Sequence, residues 1–168
     1  MRTNAPVNTM AVLERLLEEP SLARGVVHHE VRPARDAIHG EWPSWLDPRI
    51  RDGLAKRGIA RPYTHQVDAI EAVHANEDIV VVTPTASGKS LCYTVPVLQA
   101  LAEDSSARAL FLFPTKALGQ DQVAEFSELV RDAGLEVSSA CYDGDTPAPI
   151  RSAIRKAGQV VVTNPDML

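Results

Sequence analysis

The stretch Thr83-Pro84-Thr85-Ala86-Ser87-Gly88-Lys89-Ser90 decides the fold of this chain. It follows the apolar run Ile79-Val80-Val81-Val82 and precedes Leu91-Cys92-Tyr93-Thr94-Val95. This order is typical of a strand, a phosphate-binding loop and the start of a helix. The first turn of a helix has unpaired N–H groups and a partial positive charge, and both favour a bound phosphate. The stretch therefore predicts a P-loop, although Thr83 stands where the strict pattern has glycine.

Two residues of this loop are the predicted catalytic residues. Lys89 is expected to reach the β- and γ-phosphates of ATP, and the Ser90 hydroxyl is expected to bind Mg²⁺. The other loop residues that we predict to contact the nucleotide are Thr85, Ala86, Ser87 and Gly88. The predicted cofactors are accordingly ATP and Mg²⁺.

Composition describes a soluble globular protein, with 168 residues, 45% of them apolar and 23% charged. No apolar run approaches the roughly 18 residues that a membrane span needs, and residues 1–10 lack a signal-peptide core. We therefore expect a cytoplasmic protein without a membrane partner. Cys92 and Cys141 lack metal-like spacing, which predicts reduced thiols.

Charge is distributed unevenly along the chain. The net charge is −5, to which residues 1–61 contribute +2 and residues 62–168 contribute −7. This balance excludes nucleic-acid binding through a global basic field. Any contact with nucleic acid in the second part must come from backbone N–H groups, hydroxyls and a few placed cations.

From Asp78 onward, strand patterns alternate with helix patterns, which predicts an α/β fold: a mainly parallel sheet with helices on both faces. The predicted strands are 79–83, 109–113, 136–142 and 159–163, and the predicted helices between them are 89–102, 116–133 and 148–157. Pro96 is expected to kink the first of these helices or to end it early, because proline cannot donate a backbone hydrogen bond.

Residues 1–45 are predicted to form an N-terminal arm, irregular except for a short helix over 10–19. The domain proper is predicted to cover residues 46–168. It should begin with a helix over 49–57, capped by Asp47 and ended by Gly58. A second helix should follow from Thr64 to about Asn76.

Three loops with unusual polar content follow the later strands: 114–120, 142–147 and 163–166. An open α/β sheet binds its ligands at the carboxyl ends of its parallel strands, so we expect these loops at the same sheet edge as the P-loop. Each loop also has a purely structural interpretation, as a helix start, a turn and an N-cap respectively.

The ordered set of motifs resembles the first RecA-like domain of the superfamily 2 helicases, the DEAD/DEAH-box group, and especially its branch of Hrq-type and MrfA-type DNA helicases. The segments that carry the resemblance are Tyr63-Thr64-His65-Gln66 (Q motif), 83–90 (motif I), 114–122 (motif Ia), 142–147 (motif Ic) and 163–168 (motif Ib). Together they span roughly residues 45–168.

The resemblance implies a role for each segment. Gln66 would recognise the adenine edge and either Tyr63 or Arg61 would stack on the base, unless Gln66 is simply a surface residue of an amphipathic helix. Phosphates of one nucleic-acid strand, DNA rather than RNA in this branch, would be bound without reading sequence. The residues predicted for this contact are Pro114, Thr115, Lys116, Gly144, Thr146, Thr163 and Asn164. Arg151 and Arg155 either extend this track or form a solvated helix face.

The chain departs from the family pattern in one respect. Residues 1–168 contain no Asp-Glu-x-His/Asp segment (motif II) and no second RecA-like domain, which in such helicases supplies arginine fingers. We therefore expect a chain that holds ATP without splitting it efficiently, and that needs a separate chain carrying the second domain if it works at all.

Two alternatives remain open. The run Pro-Thr-Ala-Ser-Gly-Lys-Ser also resembles the phosphate loop of tRNA dimethylallyltransferases, although the Asp-Ser-x-Gln-x-Tyr segment of that family is not found. The other alternative is a non-catalytic, truncated gene product.

Overall fold

The computed structural model describes residues 9–28, 30, 33 and 36–167. The predicted arm and motif Ib extend to residues 1–8 and Leu168, which lie outside these ranges. The chain divides into two compact units, Met1–Asp36 and Ala37–Leu168. Residues 37–45 thus cluster with the second unit rather than with the predicted arm; the Gly40 N–H, for example, donates to the Pro62 carbonyl.

The first unit contains two helices, α1 (Thr9–Glu18) and α2 (Pro20–Ala23). Proline at position 20 ends the first helix and begins the second, because a first helical residue needs no N–H donor. The helix predicted over 10–19 is thus found almost in place, and a second short helix follows it.

The second unit is built on a parallel three-stranded sheet with the strand order β1-β3-β2. Its strands are β1 (Ala109–Leu112), β2 (Ser139–Cys141) and β3 (Val160–Thr163). Phe111 pairs in register with Val162, which in turn pairs with Cys141, so these three side chains share one face. Three of the four predicted strands are therefore present, each shorter than expected.

The fourth predicted strand, 79–83, is not a strand in this structure. A strand needs a hydrogen-bonded partner, and no described residue pairs with this segment. The segment instead lines a groove of about 310 Å³ beside the helix that starts at Thr64. As a result, Val80 and Val82 remain 89% and 88% exposed.

Two helices precede the P-loop. Helix α3 (Pro48–Lys56) begins as predicted: the Asp47 carboxylate accepts from the Arg49 N–H at 2.8 Å. The same carboxylate accepts from the Arg49 guanidinium at 2.7 Å, and this side-chain hydrogen bond is the main cause that lowers the pKa of Asp47. Helix α4 (Thr64–His74) buries Ile70, while His74 near its end stacks on Trp45 at 3.7 Å between ring centroids.

The later helices are α5 (Leu91–Glu103), α6 (Lys116–Asp132) and α7 (Ala148–Ala157), followed by a 3₁₀ turn at Pro165–Met167. Helix α5 runs through Pro96, so the expected early end is wrong. Pro96 is buried, as are Val95 and Leu98 of the same helix. This packing offsets the one hydrogen bond that Pro96 cannot make to the Cys92 carbonyl.

The core lies between one face of the sheet and helices α3, α5 and α6. Phe111 is at its centre, with Tyr93 of α5 and Phe126 of α6 packed edge-on at 5.2 and 5.9 Å between ring centroids. On the opposite face, Leu110 and Val161 line a groove of about 320 Å³ with Ile154 of α7. The sheet thus positions the loops that follow its strands against a well-packed interior.

Candidate nucleotide site and nucleic-acid edge

The predicted phosphate loop, residues 83–90, has the backbone of an anion cradle. Ala86 and Gly88 have positive φ angles of 61° and 71°, which turn the chain sharply before α5. The five backbone N–H groups of residues 86–90 donate to no other described residue. A run of free N–H groups at the start of a helix is the arrangement that binds phosphate oxygens.

Side chains complete the loop. The Lys89 ammonium donates to the Thr83 carbonyl at 2.9 Å and to the Pro84 carbonyl at 2.8 Å, so it lies folded back over the loop. The Thr83 and Ser87 hydroxyls are joined by a hydrogen bond of 2.6 Å, which links the first residue of the loop to its fifth. Thr85 is exposed at the tip.

Ser90 is placed at the junction of loop and helix. Its φ of −56° and ψ of −35° are already helical, and its hydroxyl makes no hydrogen bond to the described part of the chain. In the same described residues, no three His, Cys, Asp or Glu side chains form a metal-binding group. The residues present thus fit an Mg²⁺ ion that arrives with ATP and takes Ser90 as its protein ligand.

Gln66 occupies a place that the sequence analysis did not foresee. It is buried, which makes the surface-glutamine alternative wrong. Its Oε1 accepts from the Tyr63 N–H at 2.8 Å, and its Nε2 donates to the Gly88 carbonyl at 2.8 Å. The adenine contact remains a prediction, and it would use the second lone pair and the second hydrogen of this amide.

His65 is a residue whose role the sequence analysis missed. Its Nε2 lies 3.1 Å from the Ser87 carbonyl oxygen, next to the carbonyl that Gln66 holds. Its ring stacks on Tyr63, which also stacks on His39 at 4.9 Å. The signal available in the sequence was its place beside Gln66 in the Q motif.

A second constellation lies where the three strands end. A narrow crevice there brings residues from all three predicted polar loops together; it is lined by Thr115, Lys116, Gly119, Cys141, Asp143, Val162, Thr163 and Asn164. The structure thus gathers four of the predicted nucleic-acid-binding residues around one crevice.

On the α6 side of this crevice, Thr115 caps the helix and Lys116 forms an ion pair. The Thr115 hydroxyl accepts from the Leu118 N–H at 3.3 Å. The Lys116 ammonium lies 2.8 Å from the Asp145 carboxylate, which raises the pKa of Lys116. Pro114, the residue before the cap, is exposed.

Loop 142–147 is held by bonds within itself. Asp143 Oδ1 accepts from the backbone N–H groups of Asp145 and Thr146 and from the Thr146 hydroxyl, at 2.9 to 3.0 Å. Burial acts to raise the pKa of Asp143, but these hydrogen bonds outweigh it and lower that pKa. Arg151 donates to the Thr146 and Gly144 carbonyls. Its contact with a phosphate stays a prediction.

The end of β3 supplies the last two predicted residues. The Thr163 hydroxyl donates to the Tyr142 carbonyl and ties β3 to the loop after β2. Asn164 is buried, and its Oδ1 accepts no hydrogen bond from the described residues. A buried amide without a partner favours a ligand or an ordered water in the crevice.

Comparison with known proteins identifies the family. The model of the DEAD/DEAH box helicase family matches residues 63–168. The chain belongs to this family. Two relatives are the uncharacterized ATP-dependent helicase YprA of Bacillus subtilis, 54% identical over 83% of this chain, and the ATP-dependent helicase hrq1 of Schizosaccharomyces pombe, 34% identical over 98%. The chain spans only 19% and 16% of the lengths of these two relatives.

Solved structures agree with this assignment and confirm the RecA-like fold class. The crystal structure of the DUF1998 helicase MrfA bound to DNA and AMPPNP superposes with a TM-score of 0.81, at 49% identity, over 92% of this chain and 22% of that chain. A DEAD box protein from Methanococcus jannaschii, at 21% identity and a TM-score of 0.67, shares the fold.

Family membership settles two further points. The resemblance to Hrq-type and MrfA-type helicases is confirmed, and the tRNA dimethylallyltransferase alternative is excluded.

Among the described helices, none has the length and apolar character to traverse a bilayer.

Proposed function

We propose that this chain is the N-terminal ATP- and nucleic-acid-binding part of an ATP-dependent DNA helicase. The observation that carries the proposal is the set of five free N–H groups over residues 86–90, next to the Lys89 ammonium and the Ser90 hydroxyl. These groups would hold the phosphates and the Mg²⁺ of Mg-ATP. Bound Mg²⁺ supplies charge neutralisation at the phosphates.

On binding, Lys89 exchanges two carbonyl partners for phosphate oxygens. Its present bonds to the Thr83 and Pro84 carbonyls keep the ammonium within the loop, so little rearrangement is needed to reach a phosphate placed over the free N–H groups. Gln66 and Tyr63 are the residues proposed to contact the base.

For the polymer substrate we propose one strand of DNA, bound through its backbone. The contacts would come from Thr115, Lys116 and Thr163, from the side-chain NH2 group of Asn164, and from the Gly144 N–H, which donates to no described residue. The MrfA structure that this chain resembles contains DNA, which supports DNA over RNA. A role in DNA repair or processing is part of the same proposal. The free thiols of Cys92 and Cys141 are consistent with a cytoplasmic site of action.

We further propose that residues 1–168 alone neither hydrolyse ATP efficiently nor separate strands. The loop can bind and orient the phosphates, but residues 83–90 include no carboxylate that could orient an attacking water. Hydrolysis would require groups from further chain or from a separate chain that carries the second RecA-like domain.

The test is nucleotide binding by the purified chain, measured with Mg²⁺ and a non-hydrolysable ATP analogue. Lys89→Ala is expected to lower the affinity at least about 30-fold, since a desolvated charge-assisted contact contributes about 2 kcal/mol or more. Lys156→Ala, at the exposed end of α7, is the matched control and should leave the affinity unchanged. Equal affinity of the Lys89→Ala variant and the unmodified chain would refute the nucleotide site.

A separate titration tests the polymer. Single-stranded DNA and single-stranded RNA of equal length are compared at low and moderate salt, and tighter binding of DNA is the expected result. Measurable strand separation by the isolated chain would contradict the proposed lack of independent activity.

A further inference from the structure

His65 and Gln66 form a pair of contacts to the phosphate loop that has a consequence for its N–H groups. The two residues are adjacent in the first turn of α4, and they hold two consecutive loop carbonyls, those of Ser87 and Gly88. The Gly88 carbonyl also accepts from the Leu91 N–H at 3.2 Å. Hydrogen bonds thus orient the Ser87 carbonyl toward α4, and they orient the Gly88 carbonyl toward α4 and the start of α5.

Fixing a carbonyl fixes the N–H of the same peptide group. A trans peptide is planar, and its C=O and N–H point in opposite directions. The Ser87 carbonyl shares a peptide plane with the Gly88 N–H, and the Gly88 carbonyl shares one with the Lys89 N–H. Contacts that draw these two carbonyls toward α4 therefore direct the two N–H groups away from it, to the side where the phosphates are proposed to bind.

We infer that His65 is a positioning residue of the nucleotide site, which orients the Gly88 N–H by donating from its Nε2 to the Ser87 carbonyl. The inference rests on the proposed function and extends it to a side chain that itself does not touch the phosphates. The carbonyl oxygen can only accept, so the imidazole must carry a hydrogen on Nε2. Stacking on Tyr63, which also stacks on His39, holds the plane of the ring.

The surroundings of Gly88 show how closely this contact region is packed. A Cβ atom added at Gly88 would lie 2.5 Å from Gln66 Nε2. The Gln66 side chain thus lies directly against the loop at this point. A side chain at position 65 that is too short to reach the loop would leave the Ser87 carbonyl without this donor.

Two substitutions of His65 separate its donor from its bulk. The Nε2 of glutamine can occupy the place of the imidazole Nε2, whereas the shorter amide of asparagine corresponds to Nδ1 and falls short of the Ser87 carbonyl. Both variants remove the ring and its stacking equally. His65→Gln is therefore the rescue variant and His65→Asn the test variant, with His74→Asn, at the far end of α4, as the control.

The first measurement is the affinity of the full 168-residue chain for Mg²⁺ and a non-hydrolysable ATP analogue. His65→Asn is expected to lower it about tenfold, the effect of one lost hydrogen bond and a less ordered loop, while His65→Gln stays within about threefold of the unmodified chain. His74→Asn should have no effect. Equal losses in the Asn and Gln variants, or no loss in either, would overturn the inference.

The second measurement needs no nucleotide and keeps this inference separate from the proposed function. In ¹⁵N spectra of the unmodified chain at about pH 8, where a histidine ring is ordinarily neutral, His65 is expected to carry its hydrogen on Nε2. The Gly88 amide resonance should move in His65→Asn and return toward its original position in His65→Gln. The inference would be overturned, even if ATP binds, by a neutral ring that carries its hydrogen on Nδ1 or by a Gly88 resonance that is the same in all variants of His65. A chain that shows these shifts but fails to bind ATP would refute only the proposed function.

Discussion

The phosphate loop and loop 142–147 both contain threonine and glycine, yet they use their hydrogen-bond donors in opposite ways. In the phosphate loop, five successive N–H groups have no described acceptor; the Thr83 and Ser87 hydroxyls bond to each other, and Lys89 donates to loop carbonyls. In loop 142–147, the Thr146 hydroxyl and the N–H groups of Asp145 and Thr146 all bond to the Asp143 carboxylate. The phosphate loop therefore leaves its N–H donors available to a ligand, whereas loop 142–147 uses its donors in hydrogen bonds within the loop.

The difference teaches what each loop can contribute to binding an anion. Residues 86–90 offer an array of donors, so the ligand itself completes their hydrogen bonding. Loop 142–147 is already ordered and offers few donors, so it would act mainly by placing Gly144 and Asp145 beside Lys116. The predicted phosphate contact of the Thr146 hydroxyl is therefore the weakest of the predicted nucleic-acid contacts.

Gly88→Ala should break the phosphate loop and has the largest expected effect. Its Cβ would clash with Gln66 Nε2 at 2.5 Å, and its φ of 71° disfavours a side chain. We expect nucleotide affinity to fall by about two orders of magnitude, since a loop displaced by about an ångström misplaces its N–H donors. Calorimetric titration with the ATP analogue measures this loss.

Gly58→Ala separates the clash from the backbone conformation. Gly58 has a similar φ of 80°, but no atom lies within 4 Å of an added Cβ. This control should lower the free energy of unfolding by about 1 kcal/mol and leave nucleotide affinity unchanged. If Gly88→Ala behaved like Gly58→Ala, the close contact between Gln66 and the loop would not matter for binding.

Asp143→Ala should break the other loop and leave the nucleotide site intact. The variant removes one buried carboxylate that accepts three hydrogen bonds, and we expect a loss of about 2 kcal/mol in the free energy of unfolding. Chemical denaturation measures the loss, with Asp121→Ala on the exposed side of α6 as the control.

The loss should depend on pH in a defined direction. Because the folded pKa of Asp143 lies below the ordinary value of 3.8, its carboxylate stabilises the fold fully above that value, and this stabilisation disappears as pH falls through the folded pKa. The difference between the unmodified chain and Asp143→Ala should therefore shrink below pH 3.8. A difference that persists unchanged into stronger acid would show that the carboxylate is not the stabilising group.

Asp145→Asn has the smallest expected effect and tests whether Asp145 limits the binding of phosphate by Lys116. Asp145 competes with phosphate for the Lys116 ammonium, so removing its charge should raise the affinity for single-stranded DNA about threefold at low salt, and less at high salt. Asp121→Asn removes the same charge elsewhere and is the control. Fluorescence anisotropy of a labelled oligonucleotide measures both, and equal gains would point to net charge rather than to Lys116.

The sequence predicted the three sheet strands and every described helix except α2 and the 3₁₀ turn, because their signals are local. Apolar runs, the Asp47 cap and Gly58 after α3 each depend on a few neighbouring residues. The segment 79–83 has the same apolar signal, yet it is not a strand, because pairing depends on a partner that no local pattern supplies.

The candidate site shows the same limit. The spacing of Gly88, Lys89 and Ser90 predicted which residues form the phosphate loop, since the motif is continuous in sequence. The contacts of His65 and Gln66 to that loop join residues 22 positions apart, and only the packing of α4 against α5 brings them together. The Lys116–Asp145 ion pair likewise needed the sheet to place two loops side by side.

The exposed valines at positions 80 and 82 also affect how the chain behaves at high concentration. Ile79-Val80-Val81-Val82 is a short β-branched run without charge, and in this structure nothing in the described residues pairs with its backbone. Such a run is a template for strand pairing between molecules. Residues 79–82, which lead into the nucleotide site, are therefore the segment where we expect aggregation to start. Substitutions meant to improve solubility should be tried there first.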